Sequence, residues 1–382
     1  IGHNFGDLLI KQASERLNSI CDAGTTLARL GGDEFVLVLP ELWSIEEVGL
    51  FTSQVHSQFQ QPFILEDKKY QMAVSIGVSI YPDDAQTIEM FMRHADVAMF
   101  KAKSEGRNRT SFFSEELEQH IIHRHQLELL LRDTLANQQL HVHYQPKLCL
   151  KTGKLLGAEA LARLKNQEGR WVSPVEFIPL AEETGLIVLI GRWVLKTAIA
   201  QLRVLLDEKI DITCSVNLSA LDLLVDDLPA YVTELLQSHK VSAENLYLEI
   251  TESAIMREAD KCLNNLRRLR DLGLTLSIDD FGTGYSSLSQ LKKLPVSELK
   301  IDKSFILNLD SSEDDQLIVR STIELGHTLG LSVTAEGVES EAIKALLKHY
   351  GCDTAQGYLY SKPLPAAEFI RWVHTYLIGI GR

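Results

Sequence analysis

The chain has 382 residues, of which 45% are hydrophobic and 24% are charged, and this composition is typical of a globular protein with two domains. The formal net charge of −14 excludes a broad basic surface for DNA or RNA, so local cations must hold any anionic ligand. The five cysteines include no C-x-x-C pair, which favours a reducing, cytoplasmic compartment. No apolar run approaches about 18 residues, so we expect this segment to make no membrane contact.

The first part of the chain, to about residue 113, mixes the patterns of strands and helices. Gly31 and Gly32 join two apolar runs and supply the positive φ that a tight turn needs, which predicts a β-hairpin. A capping box, a strict alternation and a second helical stripe then predict a helix, a strand and another helix. The predicted elements are the hairpin at residues 26–39, the helices at 45–59 and 87–104, and the strand at 72–80.

A stretch without glycine or proline, residues 114–140, carries leucines at helical spacing, and we interpret it as the helix between two domains. Beyond it, short apolar strands alternate with longer helical stretches, which is typical of a (β/α) barrel of the TIM type. A doubly wound open sheet is the alternative α/β fold, because periodicity cannot distinguish a closed sheet from an open one. The predicted strands are residues 155–158, 212–216, 246–250, 274–278, 298–301, 331–335 and a less clear segment around Thr354.

Polar side chains stand at the carboxyl ends of these seven predicted strands. In chain order they are Glu159, Asn217, Glu249 with Glu252, Asp279 with Asp280, Lys300 with Asp302, Glu336 and Gln356. A single carboxylate in such a place is usually the cap of the next helix, but seven strands with the same habit make that interpretation poor. Because the carboxyl ends of barrel strands meet at one mouth, we expect these side chains to converge there.

The charge at this mouth requires compensation. Glu159, Glu249, Asp279, Asp280 and Glu336 would place five negative charges together, and like charges about 4 Å apart repel by roughly 1 to 4 kcal/mol per pair. Oxygen ligands without His or Cys favour Mg²⁺ or Mn²⁺ over zinc. The consecutive Asp279 and Asp280 indicate one carboxylate shared by two ions, an arrangement suited to in-line displacement at phosphorus. The residues alone therefore predict phosphodiester hydrolysis.

Seven sequence blocks surround these residues. They are GAEALARL from Gly157, SVNLS from Ser215, LEITES from Leu248, DDFGTGYSSL from Asp279, LKID from Leu299, AEGVES from Ala335 and AQGY from Ala355. The letters EAL alone are too common to be informative, but seven blocks in order are specific. Together, across residues 125–380, they resemble EAL-domain phosphodiesterases, which hydrolyse cyclic-di-GMP.

The resemblance implies two Mg²⁺ or Mn²⁺ ions and a role for each matching position. The first ion would be held by Glu159, Asn217, Glu249 and Asp279, and the second by Asp279, Asp280 and Glu336. Lys300 would hold the attacking water and act in catalysis together with Glu159, Asp279 and Glu336. The substrate-binding positions would be Gln145, Arg163, Asp302 and Gln356, with Arg163 on a phosphate. Glu252 resembles the glutamate that supports the loop at residues 280–288, which in the family couples dimerisation to the metal site.

Three further blocks lie in the first part of the chain: GHNFGD from Gly2, ARLGGDEF from Ala28 and MFKAKSEGRNR from Met99. They resemble a GGDEF domain, and by this resemblance GTP and a metal would contact Asp7, Asp33, Glu34, Lys103 and Arg107. The strand that should carry a second metal-binding aspartate is missing before Gly2. We therefore expect a truncated, regulatory GGDEF domain that makes no cyclic-di-GMP, within a piece of a longer parent that can carry a membrane anchor.

These features combine into one predicted organisation: a GGDEF part at residues 1–113, a linker helix at 114–128 and an EAL domain at 129–382. The predicted function is metal-dependent hydrolysis of cyclic-di-GMP to linear pGpG in bacterial second-messenger signalling. By the family resemblance, the predicted assembly is a homodimer formed through the EAL domain. Two alternatives stay open, a catalytically silent cyclic-di-GMP receptor and a full-length parent that both makes and hydrolyses cyclic-di-GMP.

Overall fold

The structure is a computed structural model, and it describes residues 3–22, 24–40, 45–65, 68–251, 259–282, 291 and 293–380. The chain divides into two compact units, Ile1–Gln126 and Leu127–Arg382. Helix α4, Glu115–Ala136, contributes residues to both units.

The described strands of the first unit form three two-stranded sheets, β1–β2 and β3–β4 antiparallel and β5–β6 parallel. The strands are β1 (Thr26–Gly31), β2 (Glu34–Val38), β3 (Phe63–Leu65), β4 (Lys68–Tyr70), β5 (Ile76–Val78) and β6 (Thr110–Phe112), and the helices are α1 (His3–Ile20), α2 (Ile45–Gln60) and α3 (Ile88–Ser104). The predicted hairpin is confirmed, with Gly32 at φ +52° in its turn. The strand predicted over residues 72–80 is shorter, because only β5 pairs with β6.

The second unit is built on a closed barrel. Its strands are β7 (His141–Cys149), β8 (Leu155–Lys165), β9 (Trp171–Val172), β10 (Thr213–Leu218), β11 (Leu246–Thr251), β12 (Thr275–Phe281), β13 (Glu298–Ile301), β14 (Ser332–Ala335), β15 (Thr354–Gln356) and β16 (Leu364–Pro365). Strands β8 and β10 to β15 are parallel neighbours, and β7 runs antiparallel to both β15 and β8. This pairing closes eight strands into a TIM-like barrel, so the open-sheet alternative is wrong.

Helices follow most of the strands. They are α5 (Pro174–Glu183), α6 (Ile187–Asp207), α7 (Ala220–Leu223), α8 (Leu228–His239), α9 (Ala259–Asp271), α10 (Lys303–Ile306), α11 (Glu313–Thr328), α12 (Glu341–His349) and α13 (Ala366–Ile380), with a short 3₁₀ turn at Ala243–Asn245. Among the described helices, no single one is long and apolar enough to cross a membrane, although α5 and α6 together pass that test across a bend of 120°.

The strands alternate between an apolar outer face and a polar inner face. Val216, Leu248 and Leu276 belong to the buried apolar core, whereas Ser215 and Glu249, one residue from the first two, are contacted by a side chain from β7 across the barrel. Side chains of a strand point alternately to its two sides, so this alternation gives the barrel a polar interior. TIM barrels are usually filled with bulky branched residues, and this polar filling is what allows a charged site to continue below the mouth.

Candidate active site

The described residues of the predicted barrel site lie on the inner face or at the carboxyl ends of successive barrel strands. Glu159 is the exception to the prediction about strand ends, because β8 continues six residues further, to Lys165. The reason is the hairpin with β7, which pairs His141 with Arg163 and extends β8 beyond its parallel neighbours. Glu159 therefore points into the barrel from the middle of a strand.

Lys300 on β13 is the centre of the site. Its side chain is completely buried, and its Nζ lies 2.5 Å from Glu336 Oε1 and 3.0 Å from Asp279 Oδ1. The same nitrogen forms an ion pair with Glu249 and lies 3.9 Å from Glu159 Oε2. A buried ammonium needs charged partners with good geometry, and here four different strands or strand ends supply them.

Amide side chains fix the orientation of Glu159. Gln356 Nε2 donates to Glu159 Oε2 at 2.5 Å and to Gln145 Oε1 at 3.0 Å, while Asn217 Nδ2 donates to Glu159 Oε1 at 2.6 Å. Gln145 is held in turn, because its Nε2 donates to the carbonyl of Ser361 at 3.1 Å. Both carboxylate oxygens of Glu159 thus accept hydrogen bonds from amide side chains, which fix the orientation of the carboxylate.

Two groups of carboxylates have the spacing of cation ligands. Oxygens of Glu159, Glu249 and Glu336 all lie within 4.8 Å of one another, and so do oxygens of Asp279, Asp280 and Glu336. The two groups overlap at Glu336, whereas the sequence prediction had placed the overlap at Asp279. Asp280 has the left-handed φ of +54°, and its backbone N–H donates to Asp279 Oδ1 at 3.0 Å. Such a conformation is strained for a residue other than glycine and is frequent at functional sites.

Burial and neighbouring charges shift the pKa values of four carboxyl groups of the site, those of Glu159, Glu249, Asp280 and Glu336. Burial, reinforced by neighbouring carboxylates, raises the pKa of Glu336 to about 8 and also raises the pKa of Glu159. Burial and then Asp279 raise the pKa of Asp280 to about 6. Burial opposes ionisation of Glu249 as well, but adjacent lysines outweigh it and lower the pKa of Glu249 to about 2. The lysines therefore neutralise one carboxylate well and leave the others in mutual repulsion.

The excess of negative charge and the types of ligand atom indicate whether divalent cations fit the residues present. Five carboxylates, at positions 159, 249, 279, 280 and 336, face two buried ammonium groups, at positions 147 and 300, so the local formal charge is −5 + 2 = −3. The donors are carboxylate and amide oxygens, the ligands preferred by Mg²⁺ and Mn²⁺. The residues fit one or two such ions.

Sequence reasoning missed Lys147 on β7. Lys147 is buried, its Nζ donates to Ser215 Oγ at 2.8 Å, and it forms an ion pair with Glu249. The available signal was strand periodicity: Lys147 stands two residues after Gln145, so both side chains must point to the same side of β7.

Asp302 and Arg163 make hydrogen bonds outside the ring of four carboxylates around Lys300. Asp302 caps helix α10, accepting from the backbone N–H of Ser304 at 2.9 Å, and its carboxyl also hydrogen-bonds the side chain of Asp280. Arg163 is half-buried near the mouth end of β8 and donates to the carbonyl of Ala162 at 2.9 Å. Glu252 lies outside the described residues.

The predicted nucleotide residues of the first unit do not form a connected cluster. Asp7 lies on α1, Asp33 in the turn before β2, Glu34 at the start of β2, Lys103 in the last turn of α3, and Arg107 just after α3 with φ +60°. All five side chains are exposed, and no hydrogen bond or ion pair within the described part of the chain joins them.

A closed α/β barrel that gathers carboxylates, amides and lysines from successive strands defines an enzyme-like class with a carboxylate-rich mouth. The chain belongs to the EAL domain family, because the model of that family matches residues 129–363. A second family model, described as diguanylate cyclase, GGDEF domain, matches residues 1–109. The predicted tandem of the two domains is confirmed.

Curated relatives are similar to almost the whole of this chain. The chain is 43% identical over 372 residues to the bifunctional diguanylate cyclase/cyclic di-GMP phosphodiesterase MucR of Pseudomonas aeruginosa, covering 97% of this chain and 54% of that protein. It is 38% identical over 377 residues to the cyclic di-GMP phosphodiesterase NbdA of the same species, covering 98% of this chain and 48% of that protein. The chain thus spans about half the length of these relatives.

A solved structure supports the barrel assignment. The PaMucR phosphodiesterase in complex with c-di-GMP is 46% identical and superposes with a TM-score of 0.61, covering 64% of this chain and 99% of that one. The similarity therefore extends over nearly the whole of that structure.

Proposed function

We propose that this chain hydrolyses cyclic-di-GMP to linear pGpG with Mg²⁺ or Mn²⁺ in bacterial second-messenger signalling. The observation that carries the proposal is the buried Lys300 ringed by four carboxylates in the mouth of an EAL barrel. The relatives named as cyclic di-GMP phosphodiesterases support the choice of substrate. A receptor that only binds the nucleotide would not need the repelling carboxylates that this mouth retains.

The chain's residues would hold the proposed ions in two groups. Glu159, Asn217, Glu249 and Asp279 would hold the first ion, and Asp279, Asp280 and Glu336 would hold the second. When bound, such a pair of ions lowers the pKa of a water and stabilises the charge that develops at phosphorus. Asn217 suits this role because its side chain carries an oxygen and is exposed at the mouth.

The chain's own residues orient the reactants. Lys300 orients the attacking water, and its ammonium lies among the carboxylates that would hold the ions. Arg163 grips a phosphate of the substrate, because its planar guanidinium can donate two parallel hydrogen bonds. Gln145 and Gln356 keep Glu159 in place and border the substrate, and Asp302 acts beside Asp280.

The remaining parts of the proposal concern organisation. Residues 1–113 form a regulatory GGDEF domain that binds GTP through Asp7, Asp33, Glu34, Lys103 and Arg107; residues 114–128 form the linker helix; and residues 129–382 form the EAL domain. The chain acts as a homodimer through the EAL domain, with Glu252 supporting the loop that links the dimer to the site. Its five free cysteines suit the cytoplasm, where thiols stay reduced.

Nucleotide chromatography tests the proposed function. The purified chain is incubated with cyclic-di-GMP and Mg²⁺, and we expect linear pGpG as the product and none with the Glu159→Ala variant. Binding of cyclic-di-GMP without any product would instead favour the silent receptor. Light scattering of the same sample tests the homodimer, which predicts twice the mass of the chain.

A further inference from the structure

Lys147 has no role in the proposed reaction, but it contacts one of the carboxylates of the site, Glu249. The side chain is 4% exposed and enters from β7. Its ammonium donates to Ser215 Oγ at 2.8 Å and pairs with Oε1 of Glu249. The other oxygen of Glu249, Oε2, pairs with Lys300. Glu249 is completely buried, and each of its two carboxylate oxygens pairs with one lysine.

Two lysines on opposite oxygens restrict a carboxylate far more than one does. The terminal torsion of a glutamate is broad, so one ion pair leaves the carboxylate plane free to turn about it. Lys147 comes from β7 and Lys300 from β13, and neither strand is a neighbour of β11, which carries Glu249. The two ammonium groups therefore hold the Glu249 carboxylate across the barrel interior and set the direction in which its lone pairs point.

Ser215 gives Lys147 a fixed direction in turn. It lies on β10, the strand beside β11, and two residues before Asn217, whose register partner on β11 is Glu249. A neutral hydroxyl adds no charge at this point, so its contribution is to direct the ammonium towards Glu249.

We propose that Lys147 is a positioning residue for the metal site, acting through Glu249 rather than on the substrate. This inference rests on the proposed function, in which Glu249 is a ligand of the first ion. Residues that hydrogen-bond a metal ligand from behind commonly change metal affinity or activity by about 10-fold to 100-fold when they are replaced.

Charge and position predict opposite effects of removing Lys147. An ammonium beside a cation site repels the cation, so its removal strengthens metal binding if charge alone matters. If the ammonium instead holds Glu249 in the binding orientation, its removal weakens metal binding. A role in folding alone lowers the melting temperature and leaves the metal affinity of the folded protein unchanged.

The test is Mn²⁺ binding to the full chain, measured by electron paramagnetic resonance of the free ion, together with kcat and KM for cyclic-di-GMP. Lys147→Met removes the ammonium and keeps the length of the side chain. Lys151→Met is the matched control. Lys147 and Lys151 line the same cavity of about 590 Å³, at the end of the barrel opposite the mouth, and Lys151 is exposed. Ser215→Ala removes the hydroxyl that directs the Lys147 ammonium and keeps the charges of Lys147 and Glu249. It is the test variant if Lys147→Met does not fold.

We expect Lys147→Met to raise the Kd for Mn²⁺ by about 10-fold to 100-fold and to lower kcat more than it raises KM. Ser215→Ala should shift both in the same direction by less, and Lys151→Met should match the wild type. Tighter or unchanged Mn²⁺ binding in Lys147→Met, or in Ser215→Ala if that is the variant that folds, overturns the inference alone. A wild-type chain that binds no Mn²⁺ overturns the proposed function and the inference together.

Discussion

At the scale of single residues, the barrel mouth holds carboxylates so close together that they repel one another. Lys300 partners Glu336 at 2.5 Å, yet burial and the neighbouring acids still raise the pKa of Glu336 to about 8. Burial and repulsion disfavour the charged form of this group in the folded chain, and a bound cation would favour that form. Such a residue contributes to function at the expense of stability.

Glu336→Gln should separate these two effects. The amide keeps the shape and removes the cost of taking up a proton on folding, so the metal-free variant should melt at the same temperature as the wild type or higher at neutral pH. Turnover of cyclic-di-GMP should fall by at least about 10²-fold, because an amide is a poorer cation ligand. Thermal melts in EDTA and steady-state kinetics measure the two quantities. A loss of activity that simply follows a loss of folded protein would make the role of Glu336 structural.

The raised pKa values also predict how stability varies with pH in the metal-free chain. The unfolded carboxyl at position 336 loses its proton near pH 4.5 and the folded one near pH 8, while for Asp280 the two values are 3.8 and about 6. The folded chain binds more protons between these limits, so the free energy of unfolding falls as the pH rises from about 4.5 to 8. Glu249, with its pKa lowered to about 2, contributes no slope above about pH 5.

Chemical denaturation in EDTA at pH 5, 6.5 and 8 measures this trend. We expect the stability to fall along the series, and to fall less in Mn²⁺, since a bound cation favours the ionised carboxylates. A metal-free chain that becomes more stable with rising pH would contradict the assignment of these buried acids.

The sequence predicted most of the residues that meet at the mouth, because a polar side chain at the end of an apolar strand is a local signal. It did not predict Lys147, since a lysine in a strand is most often a solvated residue, and the two-residue spacing from Gln145 indicates a shared side of β7 but not burial. Nor did it predict that Asp302 contacts Asp280 and Ser304. Partners depend on strand register, which a single sequence does not contain.

At the scale of elements, the short parallel strands were predictable and the hairpin was not. Residues 298–301 form a strand with the predicted limits, because both faces of β13 are buried and its flanks are polar. Strand β8 is seven residues longer than its predicted apolar run, because antiparallel pairing with β7 carries its polar end into the sheet. Tertiary pairing thus overrode a local pattern.

The connections that follow β14 and β15 make a further prediction. The backbone N–H of Val338 donates to the carbonyl of Gln356 at 3.0 Å, so the connection after Glu336 packs directly on the one after Gln356. A Cβ at Gly357 would lie 2.1 Å from the carbonyl oxygen of Val338, which is closer than backbone atoms allow. Only glycine lets the two connections approach in this way.

Gly357→Ala should therefore push the two connections apart and displace Glu336 and Gln356. A shift of about 1 Å at a reactive site lowers turnover by about 10²-fold, and overpacking should lower stability by about 1 to 3 kcal/mol. Gly379→Ala is the control, because a Cβ there meets no atom within 4 Å in helix α13; its stability should change by no more than about 1 kcal/mol. Wild-type kinetics in Gly357→Ala would show that this contact does not position the site.

At the scale of the whole molecule, closure of the barrel is what turns scattered residues into a site. Gln145 and Gln356 are 211 positions apart in the sequence. Their side chains nevertheless form a hydrogen bond, because β7 pairs with β15 and closes the sheet. Closure was not predictable from periodicity, which is the same in open and closed sheets, and it became visible only in the pairing of β7 with both of its neighbours. The family resemblance supplied what periodicity lacked.

The most direct test of the account is the rate of cyclic-di-GMP opening by the purified chain in Mg²⁺, Mn²⁺, Ca²⁺ and EDTA. Calcium prefers longer bonds and more ligands than magnesium, so it should disturb a compact site built from a few fixed carboxylates. We predict formation of pGpG with Mg²⁺ or Mn²⁺ and no more than background with Ca²⁺ or EDTA. Full turnover in EDTA would contradict the account, because the carboxylates of the mouth would then act without the cations that their charge and spacing fit.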